Sequence, residues 1–501
     1  MEDESVNISS NIRENQFVQK HMPLSRLSSF WSTSCIYVFV FLLIMSYSLQ
    51  DSYSSTIMND GDTLLFLSFV KNLSTCELEL TNGLMLNAIN NYCLPFISDG
   101  NYEFYRDHPT GSLAPYVIAD KIFDLTVFES RLMSVLITLT YTLILLWIIK
   151  QYWNIQFVTI IVFFSIPVLW YHSIVLHIFV QTAIFSLLTT HLFIKRVSKS
   201  FSAFIPILTL FAISFLMDWA AFLLAIIVSI ILFLRREFLN FSALVALSIL
   251  SYFLIRKWLE SESGKVGLHS GLSVFGEQNY SLNSLIYASL QMGRSLGIGL
   301  IFVFFGFVIL FKDLRTRPIT GIDAISLILF LQGILFVYLF INWSSGHSYW
   351  CYFLIPTAVI EGTRVLKWAR KRFSLRIFSV IILVTFLSSL TYSSIWWYDD
   401  FIKKPISFGS YFQENHLPPD LLVNETLYAN SANIMNGQGF KARYDLHEQL
   451  RNSMEYKFGD GGYFITDTLV NLRQFETESG IKHDFEPIYL NWFEWWVVKL
   501  P

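Results

Sequence analysis

Long runs of apolar residues, separated by short polar segments, dominate this chain from about residue 30 to residue 397. A helix needs about 20 mostly apolar residues to cross the hydrocarbon core of a bilayer. About eleven stretches approach that length with few or no charges. They cover residues 30–49, 132–149, 155–170, 174–194, 201–217, 219–234, 239–255, 295–311, 324–341, 349–365 and 377–397. The pattern predicts an all-α polytopic membrane protein with about eleven transmembrane helices.

Two of these regions depart from the simple pattern. Residues 201–234 contain one charge, Asp218. A single helix of that length would extend about 50 Å, whereas the hydrocarbon core is about 30 Å thick. We therefore expect two helices joined by a tight turn at Asp218. In 349–365, Glu361 and Arg364 shorten the apolar part, and loss of this span would reverse the side on which the C-terminal tail lies.

Lysine and arginine accumulate in alternate connections between the predicted spans. Because such residues are enriched in cytoplasmic loops, the N-terminus is predicted to be cytoplasmic and the C-terminus to lie outside. This gives a cytoplasmic tail (1–28), a transmembrane domain (29–397) that includes a long outer loop (50–130), and an extracytoplasmic C-terminal domain (398–501). Turn signals at Pro418-Pro419 and in the Gly-rich segment 459–462 predict that the last domain is small and α/β.

Composition excludes an ordinary soluble domain. Of 501 residues, 53% are hydrophobic and 15% are charged, against about 25% charged in soluble domains. The net charge of −3 argues against a nucleic-acid partner. Four cysteines are too few for a disulfide scaffold, although the sequence leaves open a bridge between Cys76 and Cys93 in the outer loop.

Polar residues of unusual placement lie in the long outer loop, at short outer turns or near the outer ends of the predicted helices. Charges at a membrane boundary are expensive and are usually functional. Their shared sidedness predicts one polar site that opens outward. The residues are Asp60, Asp62, Arg106, Asp107, His108, Arg131, Asp218, Arg294 and His347.

Several motifs follow one another in a recognisable order. Asp62 is followed by Phe66, then come His108-Pro109, and Arg131-Leu132 open the second predicted span. This order resembles that of the GT-C superfamily of polyprenyl-phosphate-sugar-dependent glycosyltransferases, especially the protein O-mannosyltransferase and aminoarabinose transferase branch. The segment 347–356, with Tyr349, is also similar to a late motif of that group. Two features differ: Thr110-Gly111 stand where the family often has a second proline, and the insert at about 71–100 is long.

The resemblance implies a GT-C-like fold and an inverting glycosyl transfer, such as mannosyl transfer, from a polyprenyl- or dolichyl-phosphate sugar on the non-cytoplasmic face. It implies a carboxylate base, Asp62 with Asp60 second, and arginines that stabilise the departing phosphate. Membrane lipid and the lipid-linked donor would be the partners. Arg106, Arg131 and Arg294 are the phosphate candidates. The remaining substrate-binding candidates are Asp107, His108, Asp218, His347 and Tyr349.

Other interpretations stay open at this point. Asp60-Gly61-Asp62 is also typical of a solvated turn that caps a helix, and Asp218 could simply punctuate a hairpin. A transporter or lipid flippase is the alternative function, although no internal repeat supports it. The sequence establishes no cofactor and leaves a divalent cation open, which would have to use Asp60 and Asp62. The sequence leaves open the sugar, the acceptor, and whether the membrane is a bacterial or archaeal cytoplasmic membrane or the endoplasmic reticulum.

Overall fold

The computed structural model of the protein describes most of the apolar region and a few strands. The described residues are 34–45, 66–67, 69–70, 73–74, 85–86, 104–105, 108–125, 127–153, 157–176, 178–196, 198–260, 280–341, 344, 348–397, 421–423, 463–466, 488–490 and 493–499.

The first half of the described chain forms helices in the order that the hydrophobic pattern predicts. A 3-10 turn at Thr110–Leu113 leads directly into α2. The helices are α1 (Ser34–Met45), α2 (Ala114–Phe123), α3 (Val127–Tyr152), α4 (Phe157–Phe164), α5 (Pro167–Tyr171), α6 (Phe179–Lys195), α7 (Ile205–Met217) and α8 (Ala220–Leu234). Because α7 ends at Met217 and α8 begins at Ala220, the predicted break at Asp218 is confirmed.

The second half continues in the same way, with a 3-10 helix at Ser348–Leu354. The helices are α9 (Phe238–Glu260), α10 (Leu282–Leu296), α11 (Ile298–Asp313), α12 (Gly321–Leu339), α13 (Ile355–Arg372) and α14 (Leu375–Trp397). Helix α13 forms where Glu361 and Arg364 interrupt the apolar pattern, and it packs against α11 and α12. The core lies between these helices.

Three described helices, α3, α9 and α12, are long and apolar enough to cross a membrane, and a fourth is reached if α10 and α11 count as one span. Shorter apolar helices include α1, α6, α7, α8 and most of α14. Only 17% of the apolar window of α9 is buried, and Phe253 is 60% exposed there. Soluble proteins rarely expose such large apolar surfaces, whereas lipid favours them. The count of about eleven spans stays a prediction.

Two of the predicted spans are broken helices. Segment 155–170 divides into α4 and α5 before Pro167, which begins α5 where a missing N–H is tolerated. The indole N–H of Trp170 donates to the carbonyl of Phe164 at 3.0 Å and satisfies one acceptor freed by the break. Helices α10 and α11 meet at 96°. Arg294, which the sequence places just before a span at 295–311, therefore lies in the last turn of α10.

Short strands form two sheets. In the segment predicted to be the outer loop, β1 (Met85–Leu86) pairs antiparallel with β2 (Phe104–Tyr105). In the C-terminal region, β3 (Leu421–Val423), β4 (Tyr463–Thr466), β5 (Ile488–Leu490) and β6 (Phe493–Lys499) form a sheet of order β3-β4-β6-β5. Strand β3 is parallel to β4, whereas β6 is antiparallel to both of its neighbours. The predicted limits of the domains are not tested by these strands.

Candidate functional site

A buried histidine–aspartate pair joins two segments that are far apart in the sequence. The Nδ1 atom of His108 lies 2.6 Å from Oδ2 of Asp218. The side chain of His108 is 11% exposed, and that of Asp218 is fully buried. Since a carboxylate oxygen accepts, Nδ1 of His108 donates to Asp218 in this pair. Sequence reasoning named both residues, and the structure brings them together.

Asp218 occupies the connection between α7 and α8. Its Oδ1 atom accepts a hydrogen bond from the backbone N–H of Ala220 at 2.8 Å. Its own carbonyl accepts from Ala221 N–H at 3.2 Å, which begins the helix. An acidic side chain at a helix N-terminus satisfies an otherwise unpaired N–H and interacts favourably with the helix dipole. The two carboxylate oxygens therefore have separate partners, one in α8 and one in His108.

Aromatic rings enclose the imidazole of His108. It meets Phe179 of α6 edge-on at 5.4 Å between ring centroids, and Trp350 at 6.3 Å. Trp350 belongs to the 3-10 helix at Ser348–Leu354 and stacks on Phe336 of α12 at 4.4 Å. Sequence reasoning did not single out Phe179 or Trp350. The sequence did offer a signal for Trp350, because it lies directly after the candidates His347 and Tyr349.

Gly111 explains why the turn after His108 approaches α7 so closely. A Cβ atom built on Gly111 would overlap the carbonyl oxygen of Leu216 and lie 2.8 Å from its carbonyl carbon. Leu216 is two residues before Asp218, and Gly111 is three residues after His108. A glycine here therefore lets the two backbones approach at the place where their side chains pair. This packing gives a physical reason for Gly111 in the Thr110-Gly111 pair.

Arg131 and Arg294, the described phosphate candidates, have different environments. Arg131 lies near the start of α3 and is 4% exposed. One turn later, the hydroxyls of Ser134 and Tyr116 lie 2.9 Å apart and link α3 to α2. Arg294 is half-buried in the last turn of α10. Arg131 lies in α3, and Arg294 lies in α10; their position on the outer side of the membrane stays a prediction.

The α10–α11 corner depends on Gly297. This residue has φ of +53°, a conformation that side chains with a Cβ rarely adopt. A Cβ atom there would also lie 2.9 Å from Cγ of Pro167, the residue that begins α5. The two helix breaks therefore touch each other, and Arg294 lies one turn from their contact.

The other predicted site residues lie outside the described part of the chain. These are Asp60, Asp62, Arg106, Asp107 and His347, together with the side chain of Tyr349. Phe66, four residues after Asp62, is described: it is 5% exposed and packs edge-on against Phe69 at 5.9 Å. Among the described residues, no group of three or more His, Cys, Asp or Glu side chains could hold a metal ion.

A second buried polar cluster lies near the start of α12, at the end of the helix away from Phe336. Sequence reasoning did not predict it. Arg364 donates to Oδ1 of Asp323 at 2.7 Å and to Oε2 of Glu361 at 2.8 Å. Ser326 donates to Glu361 at 2.7 Å, and Arg317 donates to Asp323 at 2.6 Å. The sequence did carry a signal: Glu361 and Arg364 have the i, i+3 spacing of a helical ion pair.

Comparisons with known proteins support the fold. No protein-family model matches the sequence, and no curated protein matches it. The structure is similar to that of ArnT from Cupriavidus metallidurans, an aminoarabinose transferase of the GT-C superfamily. Against ArnT bound to undecaprenyl phosphate, the TM-score is 0.51 at 12% identity, covering 93% of this chain and 97% of ArnT. Against ArnT in the apo state, the TM-score is 0.53 at 12% identity, covering 94% of this chain and 98% of ArnT.

These likenesses extend over nearly the full length of both proteins. They confirm the predicted GT-C-type fold, and together with the apolar helices they identify the chain as an integral membrane protein. At 12% identity they concern the fold alone.

Proposed function

We propose that this chain is an inverting glycosyltransferase that moves a sugar from a polyprenyl- or dolichyl-phosphate carrier to an acceptor on the non-cytoplasmic face. The observation that carries the proposal is the fold shared with ArnT over nearly the whole of both chains. One of the two ArnT structures holds undecaprenyl phosphate, a lipid of the proposed carrier class. The buried His108–Asp218 pair and the order of the outer-loop motifs agree with it.

In the proposed reaction, a hydroxyl or amine of the acceptor attacks the anomeric carbon of the sugar. The new bond forms as the bond between that carbon and the phosphate oxygen breaks, so the configuration inverts and the polyprenyl phosphate leaves. Asp62 takes the acceptor's proton, with Asp60 as the second candidate. A positioned carboxylate base contributes about 10²–10⁴-fold to the rate.

Charge develops on the departing phosphate, and cationic groups must stabilise it. Arg131, Arg294 and Arg106 would stabilise this charge, because a guanidinium can donate two parallel hydrogen bonds to phosphate. His108, held by Asp218, would contact the phosphate or the sugar through its imidazole ring. The remaining substrate-binding candidates are Asp107, His347 and Tyr349.

The proposed topology places this site outside the cytoplasm. It has about eleven spans, a cytoplasmic segment 1–28 and an extracytoplasmic C-terminal domain at 398–501. The distribution of lysine and arginine supports it. A lipid-linked donor fits this side of the membrane, because nucleotide sugars are cytoplasmic.

Membrane vesicles that contain the protein and a labelled polyprenyl-phosphate sugar test the proposal. Asp62→Asn keeps the shape of the side chain but removes the base, so loss of label from the carrier should slow by about 10²–10⁴-fold. Asp124→Asn is the matched control, because Asp124 is an exposed outer-loop aspartate with φ of +51°, a conformation that asparagine tolerates.

Full transfer in both Asp62→Asn and Asp60→Asn would refute the carboxylate mechanism. If the labelled sugar crosses the bilayer while still attached to its carrier, the glycosyltransferase function is wrong and a flippase is favoured.

A further inference from the structure

We infer that Gln332, in the middle of α12, is a positioning residue that fixes the His108–Asp218 pair through the first turn of α8. This inference rests on the proposed function, because it concerns the efficiency of the same site. Gln332 is fully buried, and no motif points to it.

The connection consists of hydrogen bonds between three helices. The side-chain amide of Gln332 donates from Nε2 to the carbonyl of Ala220 at 3.1 Å and to Oγ of Ser186 at 2.9 Å. Ala220 donates its N–H to Oδ1 of Asp218, whose Oδ2 accepts from His108. The amide of Gln332 thus binds the peptide unit that contains the carbonyl of Ala220. The adjacent peptide unit contains the N–H of Ala220, which orients the carboxylate of Asp218.

The orientation of the amide follows from its partner. A backbone carbonyl can only accept a hydrogen bond, so the nitrogen of Gln332, and not its oxygen, must face Ala220. A donor in the interior of α12 therefore matches an acceptor in the first turn of α8. Because Gln332 and Ala220 are fully buried, the bond also restricts that turn more strongly than a bond exposed to solvent would.

Helix α12 supports the pair in a second way. Phe336 lies one helical turn after Gln332 and is fully buried. Its ring is stacked on Trp350 at 4.4 Å and meets Phe179 at 5.7 Å, and these are the two rings that enclose His108. One face of α12 thus supports both members of the pair: the carboxylate through Gln332 and the imidazole through Phe336.

The test uses the full-length protein in lipid nanodiscs, with Gln332→Met and His108→Ala alone and combined. Methionine keeps the volume of Gln332 but cannot donate. We expect Gln332→Met to lower kcat by about 10–100-fold, as for a misplaced group, and to change KM little. The double variant should be about as slow as His108→Ala alone, because residues that act through one another are not additive.

Ser186→Ala is the matched control. It removes the second hydrogen bond of Gln332 and leaves the bond to Ala220, so its kcat should stay within about 3-fold of the parent. Gln332→Glu should be faster than Gln332→Met, because a protonated carboxyl group of the same length can still donate to Ala220. If Ser186→Ala equals Gln332→Met, the effect reflects helix packing, and the positioning role is wrong.

A second measurement does not depend on sugar transfer. Diethyl pyrocarbonate modifies the imidazole of histidine, and the side chain of His108 is 11% exposed. Mass spectrometry of the peptide containing His108 should show faster modification in Gln332→Met than in Ser186→Ala. If this holds while no variant transfers sugar, the proposed function fails and the positioning role stands. Equal modification, or multiplicative loss of kcat in the double variant, would overturn the positioning role.

Discussion

Replacing Gly111 with alanine adds one carbon atom at the place where the loop of His108 meets α7. That carbon would lie 2.8 Å from the carbonyl carbon of Leu216, whereas carbon atoms in contact prefer about 3.5–4.0 Å. The obstruction is backbone, which cannot rotate away as a side chain can. One of the two segments must therefore move by about 1 Å.

A shift of that size acts directly on the His108–Asp218 hydrogen bond, whose length is 2.6 Å. Misplacement of a catalytic arrangement by about 1 Å can slow a reaction by about 10²-fold. Overpacking of this kind destabilises a protein by about 1–3 kcal/mol. We therefore expect Gly111→Ala to remain folded in nanodiscs, with transfer slowed by about 100-fold.

The assay is loss of label from the polyprenyl-phosphate sugar, measured beside thermal unfolding of the same preparation. Gly293→Ala is the matched control, because the atom nearest to its added carbon, in Leu300, is at 3.9 Å, an ordinary contact distance. The control should transfer sugar at nearly the parent rate. A folded Gly111→Ala variant that transfers as fast as Gly293→Ala would refute the reasoning that links this turn to the pair.

Two further predictions concern stability. Arg364→Met leaves Asp323 and Glu361, both fully buried, without their shared cation. We expect thermal unfolding to show about 3–5 kcal/mol of destabilisation. Asp313→Asn, at an exposed side chain, is the control and should be nearly neutral. Gly297→Ala should lower the unfolding temperature, because alanine is strained at φ of +53°; an unchanged temperature would show that the corner relaxes without cost.

The sequence predicted those features that depend on local pattern. The break at Asp218 follows from the length of 201–234, because one helix of that length does not fit a bilayer. His108 and Asp218 were identified separately, His108 by its motif with Pro109 in the predicted outer loop and Asp218 as a charge between two apolar segments. Their pairing is a contact between residues 110 positions apart, which no local pattern contains.

Most of the missed features are tertiary. Gln332 and Phe336 look like ordinary residues of an apolar helix, and their roles depend on what α8 and the 3-10 helix at Ser348–Leu354 place beside them. The corner at Gly297 was missed for the same reason, since a single glycine in an apolar stretch is compatible with a continuous helix.

The buried cluster of Arg364, Glu361 and Asp323 also affects how the protein enters the membrane. Charged residues at the centre of a helix raise the cost of insertion by about 2.5–3.5 kcal/mol each. Helix α13 carries Glu361 and Arg364, while Ser326 and Asp323, which bind them, belong to the preceding α12. Since α12 is synthesised first, its polar groups are in place when α13 emerges. We therefore expect α12 and α13 to enter the membrane as a pair, because the polar groups of α12 lower the cost of burying Glu361 and Arg364.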